Sequence, residues 1–168
     1  MANLIGIDIG VKGALALLSP NGDLLEVVDM PTLDDGPKGR PAVNPPLLAE
    51  LVYRWHAGHA FIELVGARPG EGAVGAFAFG RSRGVVEGVL GAAGIPATHL
   101  TPPTWKRLVG IPAGTDGAKD AARSEAIRRW PAQAGLFARV KDDGRAESAL
   151  IAVAGLTKLT KITTGGAA

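Results

Sequence analysis

The chain contains no cysteine among its 168 residues. This absence excludes a disulfide framework and every metal site built on thiolates, including structural zinc sites and iron–sulfur clusters. Any metal in this protein must therefore be held by oxygen atoms or by histidine. We interpret the three histidines, His56, His59 and His99, as structural or surface residues.

The sequence also has no apolar run long enough to span a bilayer. The longest such stretches, residues 4–9 and 13–18, are interrupted by Asp8 and separated by Lys12. Asp8 also falls where the apolar part of a secretory signal would have to be. We therefore expect a cytoplasmic protein without membrane contact, and a length of 168 residues predicts a single domain over 1–168.

No charge of one sign dominates, because 18 Lys and Arg stand against 16 Asp and Glu. Basic residues are nevertheless concentrated between residues 104 and 130, where only three acids accompany them. They are Lys106, Arg107, Lys119, Arg123, Arg128 and Arg129. This local excess suits an anionic partner. The alternative is a solvated helix face carrying i,i+4 ion pairs.

The first third of the chain predicts three short strands near residues 4–9, 14–18 and 24–28, joined by tight turns as in an antiparallel meander. Residues 30–46 are rich in Pro, Gly and Asp without a period, which predicts a surface loop. Pro45 and Pro46 then begin a helix whose apolar residues recur at helical spacing until Gly58 ends it.

The rest of the chain alternates strands and helices. A buried strand over 60–65 precedes a loop over 66–72, a glycine-rich helix to about residue 93, and a strand near 97–100. Two further helices are predicted, from about 117 to 130 and from about 143 to 157. This order indicates an α/β domain with a mixed sheet covered by helices on its faces.

Four acids are embedded in apolar sequence instead of lying on a polar face: Asp8, Glu63, Asp143 and Glu147. A charge inside a buried strand costs several kcal/mol unless it is paired or bound to metal, so Asp8 and Glu63 each require a partner. Lys12 is the alternative partner for Asp8, in a purely structural ion pair.

The other two acids lie one helical turn apart. At 100° per residue, Asp143 and Glu147 are about 40° apart, on the side that continues through Leu150 and Ala154. We therefore expect both to face inward, opposite Arg145, Ser148 and Ala152. Like charges at this spacing repel unless a cation lies between them. The alternative is that Asp142, Asp143 and Glu147 only complement the positive end of a helix.

A set of oxygen ligands favours Mg²⁺, or Mn²⁺ in its place, over zinc. Two such ions about 4 Å apart activate a water, orient a scissile phosphate and stabilise the departing 3′ oxygen. The four acids therefore predict hydrolysis of phosphodiester bonds with two ions per active site.

Several ordered motifs of the chain resemble the RuvC-type Holliday junction resolvases, and in particular the phage and prophage branch of that family. The resemblance covers nearly the whole chain. It rests on Gly6-Ile7-Asp8-Ile9-Gly10 with Gly13-Ala14-Leu15-Ala16, on Phe61-Ile62-Glu63, on Gly80-Arg81-Ser82-Arg83-Gly84, and on the segment from Lys141-Asp142-Asp143 through Glu147 to Ala152.

The resemblance implies an RNase H-like fold with a five-stranded mixed sheet, and a homodimer that binds four-way DNA junctions and nicks two strands symmetrically. The catalytic, metal-binding acids carried over from the family are Asp8, Glu63, Asp143 and Glu147. Bacterial members usually place the last two acids three residues apart and end with Asp, whereas here they are four apart and Asp142 precedes them. Asp142 is therefore the alternative to Asp143 as the third ligand.

The resemblance also identifies candidate contacts to DNA phosphates. Lys106 and Lys119 resemble basic positions that lie near the scissile phosphate in the family. The segment 67–72 lies where the family has a loop that contacts the junction, but it lacks an aromatic for stacking, so Arg68 is the candidate there. The alternative is an ordinary loop between a strand and a helix. The remaining candidates for phosphate contact are Lys38, Arg40, Arg81, Arg83 and Arg123.

Three other functions compete with junction resolution. A flap, fork or other branched-DNA nuclease of the same fold would carry the same acids. A catalytically idle junction-binding protein is disfavoured by the complete acidic set. Sugar kinases and actin-like ATPases share the opening strand motif, but they require a second phosphate hairpin, an adenosine site and a longer chain, so we expect no nucleotide cofactor.

Overall fold

A computed structural model of the chain describes residues 1–34, 39–66, 70, 72–112 and 118–165. Its centre is a five-stranded sheet, made of β1 (Leu4–Asp8), β2 (Ala14–Leu18), β3 (Leu24–Asp29), β6 (His59–Glu63) and β7 (Ala97–Leu100). The strand order is β3-β2-β1-β6-β7. The pairs β1–β2 and β2–β3 are antiparallel, whereas β1–β6 and β6–β7 are parallel. The predicted mixed five-stranded sheet is confirmed.

Helices cover both faces of this sheet, because its central strands are apolar on both sides. Helices α1 (Pro45–Trp55) and α2 (Ala73–Ala92) pack on one face, over Ile5, Ile7 and Ile62. The opposite face carries α3 (Pro102–Val109), α4 (Ala118–Arg129) and α5 (Asp143–Gly165), together with two 3-10 helices, Pro131–Phe137 and Val140–Asp142. None of the helices in the described ranges is long and apolar enough to cross a membrane.

Helix α1 follows the sequence prediction closely. Two prolines occupy its first positions, and the side chain of Asn44 caps it by accepting a hydrogen bond of 3.2 Å from the backbone N–H of Leu47. The helix ends earlier than predicted, at His56, which adopts a left-handed conformation with φ of 46°.

The described parts of the predicted surface loop over 30–46, residues 30–34 and 39–46, include regular structure. They contain two short antiparallel strands, β4 (Thr32–Leu33) and β5 (Ala42–Val43). Met30 and both residues of β5 are buried in the core on the α1 side. The prediction of a plain loop was wrong because pairs of two-residue strands are too short to produce a detectable alternation.

Helix α5 is the central helix of the fold, and its buried surface extends beyond the predicted inward side, where Leu150 and Ala154 are buried as expected. Ser148 and Ala152, expected on the outer side, are buried against β1. A methyl group built on Gly6 of β1 would lie 2.0 Å from the carbonyl oxygen of Ser148 and 2.5 Å from the backbone nitrogen of Ala152. Small residues on α5 thus allow the close approach, and larger apolar ones fill the space on its other sides.

Helix α2 is buried only in its C-terminal half. Val86 and Leu90 pack into the core on the α1 side. At the other end of the helix, Val74 and Phe77 are 64% and 76% exposed. The apolar side formed by Val86 and Leu90 is therefore occupied within the chain, and the exposed apolar residues of α2 lie near its start.

Candidate active site

The carboxyl ends of two parallel strands bring Asp8 and Glu63 to the same edge of the sheet. Strand β1 ends at Asp8 and β6 ends at Glu63, and the register pairs Ile7 with Ile62 one position earlier. Side chains two residues apart along a strand point to the same face of the sheet. Asp8 therefore shares a face with Gly6, and Glu63 shares a face with Phe61, and α5 packs on that face. Both carboxylates are partly exposed.

Helix α5 begins at this edge and runs along β1 in the opposite direction. Gly144 meets Asp8, and the helix then continues along β1 through the contacts at Gly6. A methyl group on Gly144 would lie 3.1 Å from the Oδ2 of Asp8 and 2.8 Å from the carbonyl oxygen of Lys12. The missing side chain therefore lets the Asp8 carboxylate approach the first turn of α5, between Asp143 and Glu147.

Asp143 and Glu147 occupy the first two turns of α5 and are both partly exposed. Because Asp8 lies against Gly144, these two acids flank the point where the β1 carboxylate reaches the helix. Three elements, β1, β6 and α5, thus contribute the four sequence-predicted acids to one edge of the molecule.

The carboxylate of Glu63 is held by a buried indole. The Nε1 of Trp105 donates a hydrogen bond of 2.8 Å to the Oε1 of Glu63. Trp105 lies in α3, and none of its surface is accessible to solvent. The hydrogen bond therefore fixes one carboxylate oxygen against a rigid part of the core.

Asp142 has a different environment from its neighbour. Its side chain is only 2% exposed, and Oδ1 accepts a hydrogen bond of 2.8 Å from the Nη2 of Arg139. Its Oδ2 accepts a hydrogen bond of 2.9 Å from the backbone N–H of Arg139. These hydrogen bonds hold the pKa of Asp142 below its usual value. Both oxygens thus accept hydrogen bonds within the turn that precedes α5.

A second ion pair links the start of α5 to the edge strand β3. The guanidinium of Arg145 binds both carboxylate oxygens of Asp29 at 2.6 Å, which lowers the pKa of Asp29. Asp29 pairs with Ala14, and Ala14 pairs with Asp8. The ion pair therefore holds the start of α5 beside the three paired residues Asp29, Ala14 and Asp8 of neighbouring strands.

Two ions shared by the four acids would require their carboxylates to lie within a few ångströms of one another. Within the described ranges, no three Asp, Glu or His side chains are grouped so that they hold a metal ion together. One reason is that the Glu63 carboxylate points to Trp105 while that of Asp8 lies against Gly144. The residue types nevertheless fit a hard divalent cation, because the set offers carboxylate oxygens only.

Three predicted phosphate contacts, Lys106, Arg81 and the exposed Arg40, have a described position at the surface. The Nζ of Lys106 lies 5.3 Å from the ring centroid of Trp105, so this ammonium is held beside the indole that binds Glu63. Arg81 is exposed on α2. Arg68 and Lys38 lie outside the described residues, and of Lys119 only the backbone, in α4, is described.

Two other predicted phosphate contacts are engaged within the protein. Arg83 donates to Glu87 at 2.7 Å, and Glu87 also contacts His99 at 2.9 Å. Arg123 pairs with Asp120 and donates to the carbonyl oxygen of Ala138 at 3.2 Å. These interactions give both arginines a structural role.

Sequence reasoning did not identify two residues of this edge, Trp105 and Gly144. The signal for α3 was present, because Thr101 followed by two prolines is the same kind of helix start as Asn44 and its prolines. Nothing local distinguishes Gly144 from any other glycine, since its role depends on the approach of β1.

The fold resembles solved resolvase structures over almost its full length. A Thermus thermophilus RuvC structure matches with a TM-score of 0.62 and 19% identity, covering 97% of this chain and 96% of that chain. T. thermophilus RuvC in complex with a Holliday junction substrate matches with a TM-score of 0.63 and 20% identity, covering 98% and 97%. The yeast mitochondrial Holliday junction resolvase Ydc2 matches with a TM-score of 0.58 and 14% identity, covering 97% and 81%.

No protein-family model and no curated protein sequence matches the chain. At the identities of the structural neighbours, the likeness establishes the fold alone. The sequence resemblance is therefore confirmed in its prediction of the RuvC-like, RNase H-like architecture.

Proposed function

We propose that this chain is a divalent-metal-dependent endonuclease that resolves four-way DNA junctions by paired nicks. The observation that carries the proposal is the shared edge of β1, β6 and α5, to which these elements bring four carboxylates. The same fold in T. thermophilus RuvC, solved with a Holliday junction substrate, supports branched DNA as the partner. The nuclease unit would comprise the whole of residues 1–168.

In this proposal Asp8, Glu63, Asp143 and Glu147 hold two Mg²⁺ ions, or Mn²⁺ in their place. Ions held there would supply a water of lowered pKa and stabilisation of the charge on the departing 3′ oxygen. The chain itself positions the ligands: Trp105 orients Glu63, and Gly144 admits Asp8 to the start of α5. The carboxylates need not transfer protons.

The third ligand is Asp143 and not Asp142 in this proposal, because both oxygens of Asp142 are engaged by Arg139. Asp143→Asn is expected to lower the cleavage rate by about 100-fold or more. Asp142→Asn is expected to keep cleavage within about threefold of wild type, and to cost about 1–3 kcal/mol of folding free energy because it weakens a buried charged hydrogen bond. Single-turnover cleavage and urea denaturation of both variants measure this.

The reverse pattern, in which Asp142→Asn abolishes cleavage and Asp143→Asn retains it, would assign the ligand to Asp142. Each variant serves as the matched control for the other, since the two positions are adjacent and the substitution is the same.

Contacts to DNA phosphates would come from basic residues around the acidic edge. We propose Lys106, Lys119, Arg68 and Arg81, of which Lys106 has the best-defined position, beside Trp105. Arg83 and Arg123 are left out because their guanidiniums are engaged by acids and, for Arg123, also by a carbonyl oxygen of the chain.

Symmetric nicking requires two active sites related by a two-fold axis, so the proposal includes a homodimer. Its support in this chain is the exposed start of α2, where Val74 and Phe77 form an apolar patch. Phe77→Glu is expected to shift the protein from dimer to monomer at micromolar concentration, because a charge would be buried in the interface. Light scattering measures the molar mass.

Leu25→Glu is the control for this change, since Leu25 is a half-exposed apolar residue on the edge strand β3. A dimer that persists in Phe77→Glu would show that the interface lies elsewhere. If the wild-type protein is a monomer both with and without junction DNA, the dimer is wrong.

A flap or fork nuclease is the second candidate, because the carboxylate edge carries the chemistry while dimer geometry and DNA shape set the choice of substrate. Labelled four-way, flap, fork and duplex substrates of matched sequence, compared at one Mg²⁺ concentration, distinguish them. We expect the four-way junction to be cut fastest, and a flap cut faster than the junction would favour the second candidate.

A further inference from the structure

We propose that Trp105 is a positioning residue that sets the orientation of Glu63 for ion binding. This inference rests on the proposed function, since it assigns a partner to one of the four proposed ligands. Trp105 donates its indole N–H to Oε1 at 2.8 Å and is completely buried. The carboxylate is therefore held on one oxygen by a group that cannot move with solvent.

The chemistry of the donor suits this role. An indole N–H only donates a hydrogen bond and carries no charge. It therefore orients a carboxylate without neutralising it. An arginine or lysine at the same place would neutralise Glu63 and weaken its attraction for the ion. Trp105 leaves the negative charge available, and it leaves the second oxygen, Oε2, to act as the ligand.

The same side chain also fixes a cation beside the site. Lys106 places its Nζ 5.3 Å from the centroid of the Trp105 ring. One rigid indole thus contacts an acid through its edge and an ammonium through its face. The distance between the proposed ion ligand and the proposed phosphate contact is therefore set by a single side chain of α3.

The chain supplies a matched control for this interaction. Trp55 is also buried, and it also donates its indole N–H at 2.8 Å to a glutamate, the Oε2 of Glu26. That pair joins α1 to β3, and neither residue lies at the edge that carries Asp8. Trp→Phe at 55 and at 105 thus removes the same kind of hydrogen bond and a similar volume from two buried positions.

The test measures ion affinity directly, without DNA. Mn²⁺ binding to wild type, Trp105→Phe and Trp55→Phe is followed by the electron paramagnetic resonance signal of free Mn²⁺, and thermal unfolding is recorded for each. We expect Trp105→Phe to weaken Mn²⁺ binding by about 10- to 100-fold, the range typical of partners that orient a metal ligand. Trp55→Phe should bind Mn²⁺ as wild type does while losing comparable stability.

A measurement on the wild-type protein covers the case in which Trp105→Phe does not fold. The indole N–H groups of the three tryptophans give separate ¹⁵N–¹H resonances, and Trp55→Phe and Trp130→Phe assign them. Titration with Mg²⁺ should shift the Trp105 resonance and leave the other two in place. The inference is overturned if all three resonances stay unchanged at saturating Mg²⁺, or if both Trp→Phe variants bind Mn²⁺ equally well.

Asp8→Asn separates failure of this inference from failure of the proposed function. If Asp8→Asn loses Mn²⁺ binding and Trp105→Phe does not, the ion site stands and only the role of Trp105 is wrong. If Asp8→Asn binds Mn²⁺ as tightly as wild type, the carboxylate edge is not the ion site, and both proposals fall.

Discussion

Asp8→Asn is expected to abolish cleavage of a four-way junction while leaving the affinity for the junction unchanged or higher. Asp8 ends the central strand β1, and its carboxylate reaches the first turn of α5 at Gly144. Loss of a proposed metal ligand would remove several kcal/mol of transition-state stabilisation, which corresponds to a decrease in rate of about 1000-fold or more. Binding is preserved because removal of a negative charge eases the approach of the phosphate backbone.

Single-turnover cleavage and gel-shift affinity, measured at the same Mg²⁺ and salt concentrations, test this expectation. Asp23→Asn is the matched control, because Asp23 lies in the β2–β3 turn and hydrogen-bonds Ser19 at 2.9 Å. It should cut at the wild-type rate. If Asp8→Asn also cuts at that rate, Asp8 is not a ligand and the proposed active site is wrong.

Gly6→Ala is expected to destabilise the protein severely. The new methyl group would lie 2.0 Å from the carbonyl oxygen of Ser148 and 2.5 Å from the backbone nitrogen of Ala152, and neither backbone atom can move without displacing α5. Overpacking of this kind costs about 3 kcal/mol or more. The change should also reduce cleavage in the folded fraction, because α5 carries Asp143 and Glu147 past β1.

Gly88→Ala provides the contrast within the same chain. Gly88 lies inside α2, and a methyl group there meets nothing within 4 Å. Alanine is the better helix former, so this variant should gain about 0.5–1 kcal/mol. Urea denaturation compares the two. Equal midpoints for Gly6→Ala and wild type would mean that β1 and α5 do not pack as closely as described.

The strands that carry the first two acids were predictable from sequence. Asp8 and Glu63 each interrupt a short apolar run, and a charge in such a run requires a partner. The parallel pairing of β1 with β6 follows from the helix between them, which returns the chain to the same edge. For these elements the local pattern and the tertiary structure agree.

The orientation of α5 was not predictable in the same way. The prediction placed Leu150 and Ala154 on the inward side of the helix and Ser148 and Ala152 on the opposite side. The sheet instead receives Gly144, Ser148 and Ala152, because close backbone approach requires small side chains. A helix that is buried on all sides has no single apolar face, so periodicity alone cannot orient it.

The hydrogen-bond partners of the acids could not be predicted from the sequence either. The hydrogen bond from Trp105 to Glu63 joins residues 42 positions apart, and α3 itself was not predicted. The sequence alone does not distinguish Asp142 from its neighbour Asp143, yet in the structure Arg139 binds both carboxylate oxygens of Asp142. Pairings between distant or irregular segments decide such roles, and no local spacing encodes them.

The most direct test of the central claim is cleavage of a four-way junction, labelled in turn on each strand, by the wild-type protein in Mg²⁺ and in EDTA. The proposal predicts two nicks at symmetry-related positions in Mg²⁺, with 5′-phosphate and 3′-hydroxyl ends, and none in EDTA. Equal nicking in EDTA, or no nicking of the junction in either Mg²⁺ or Mn²⁺, would contradict it.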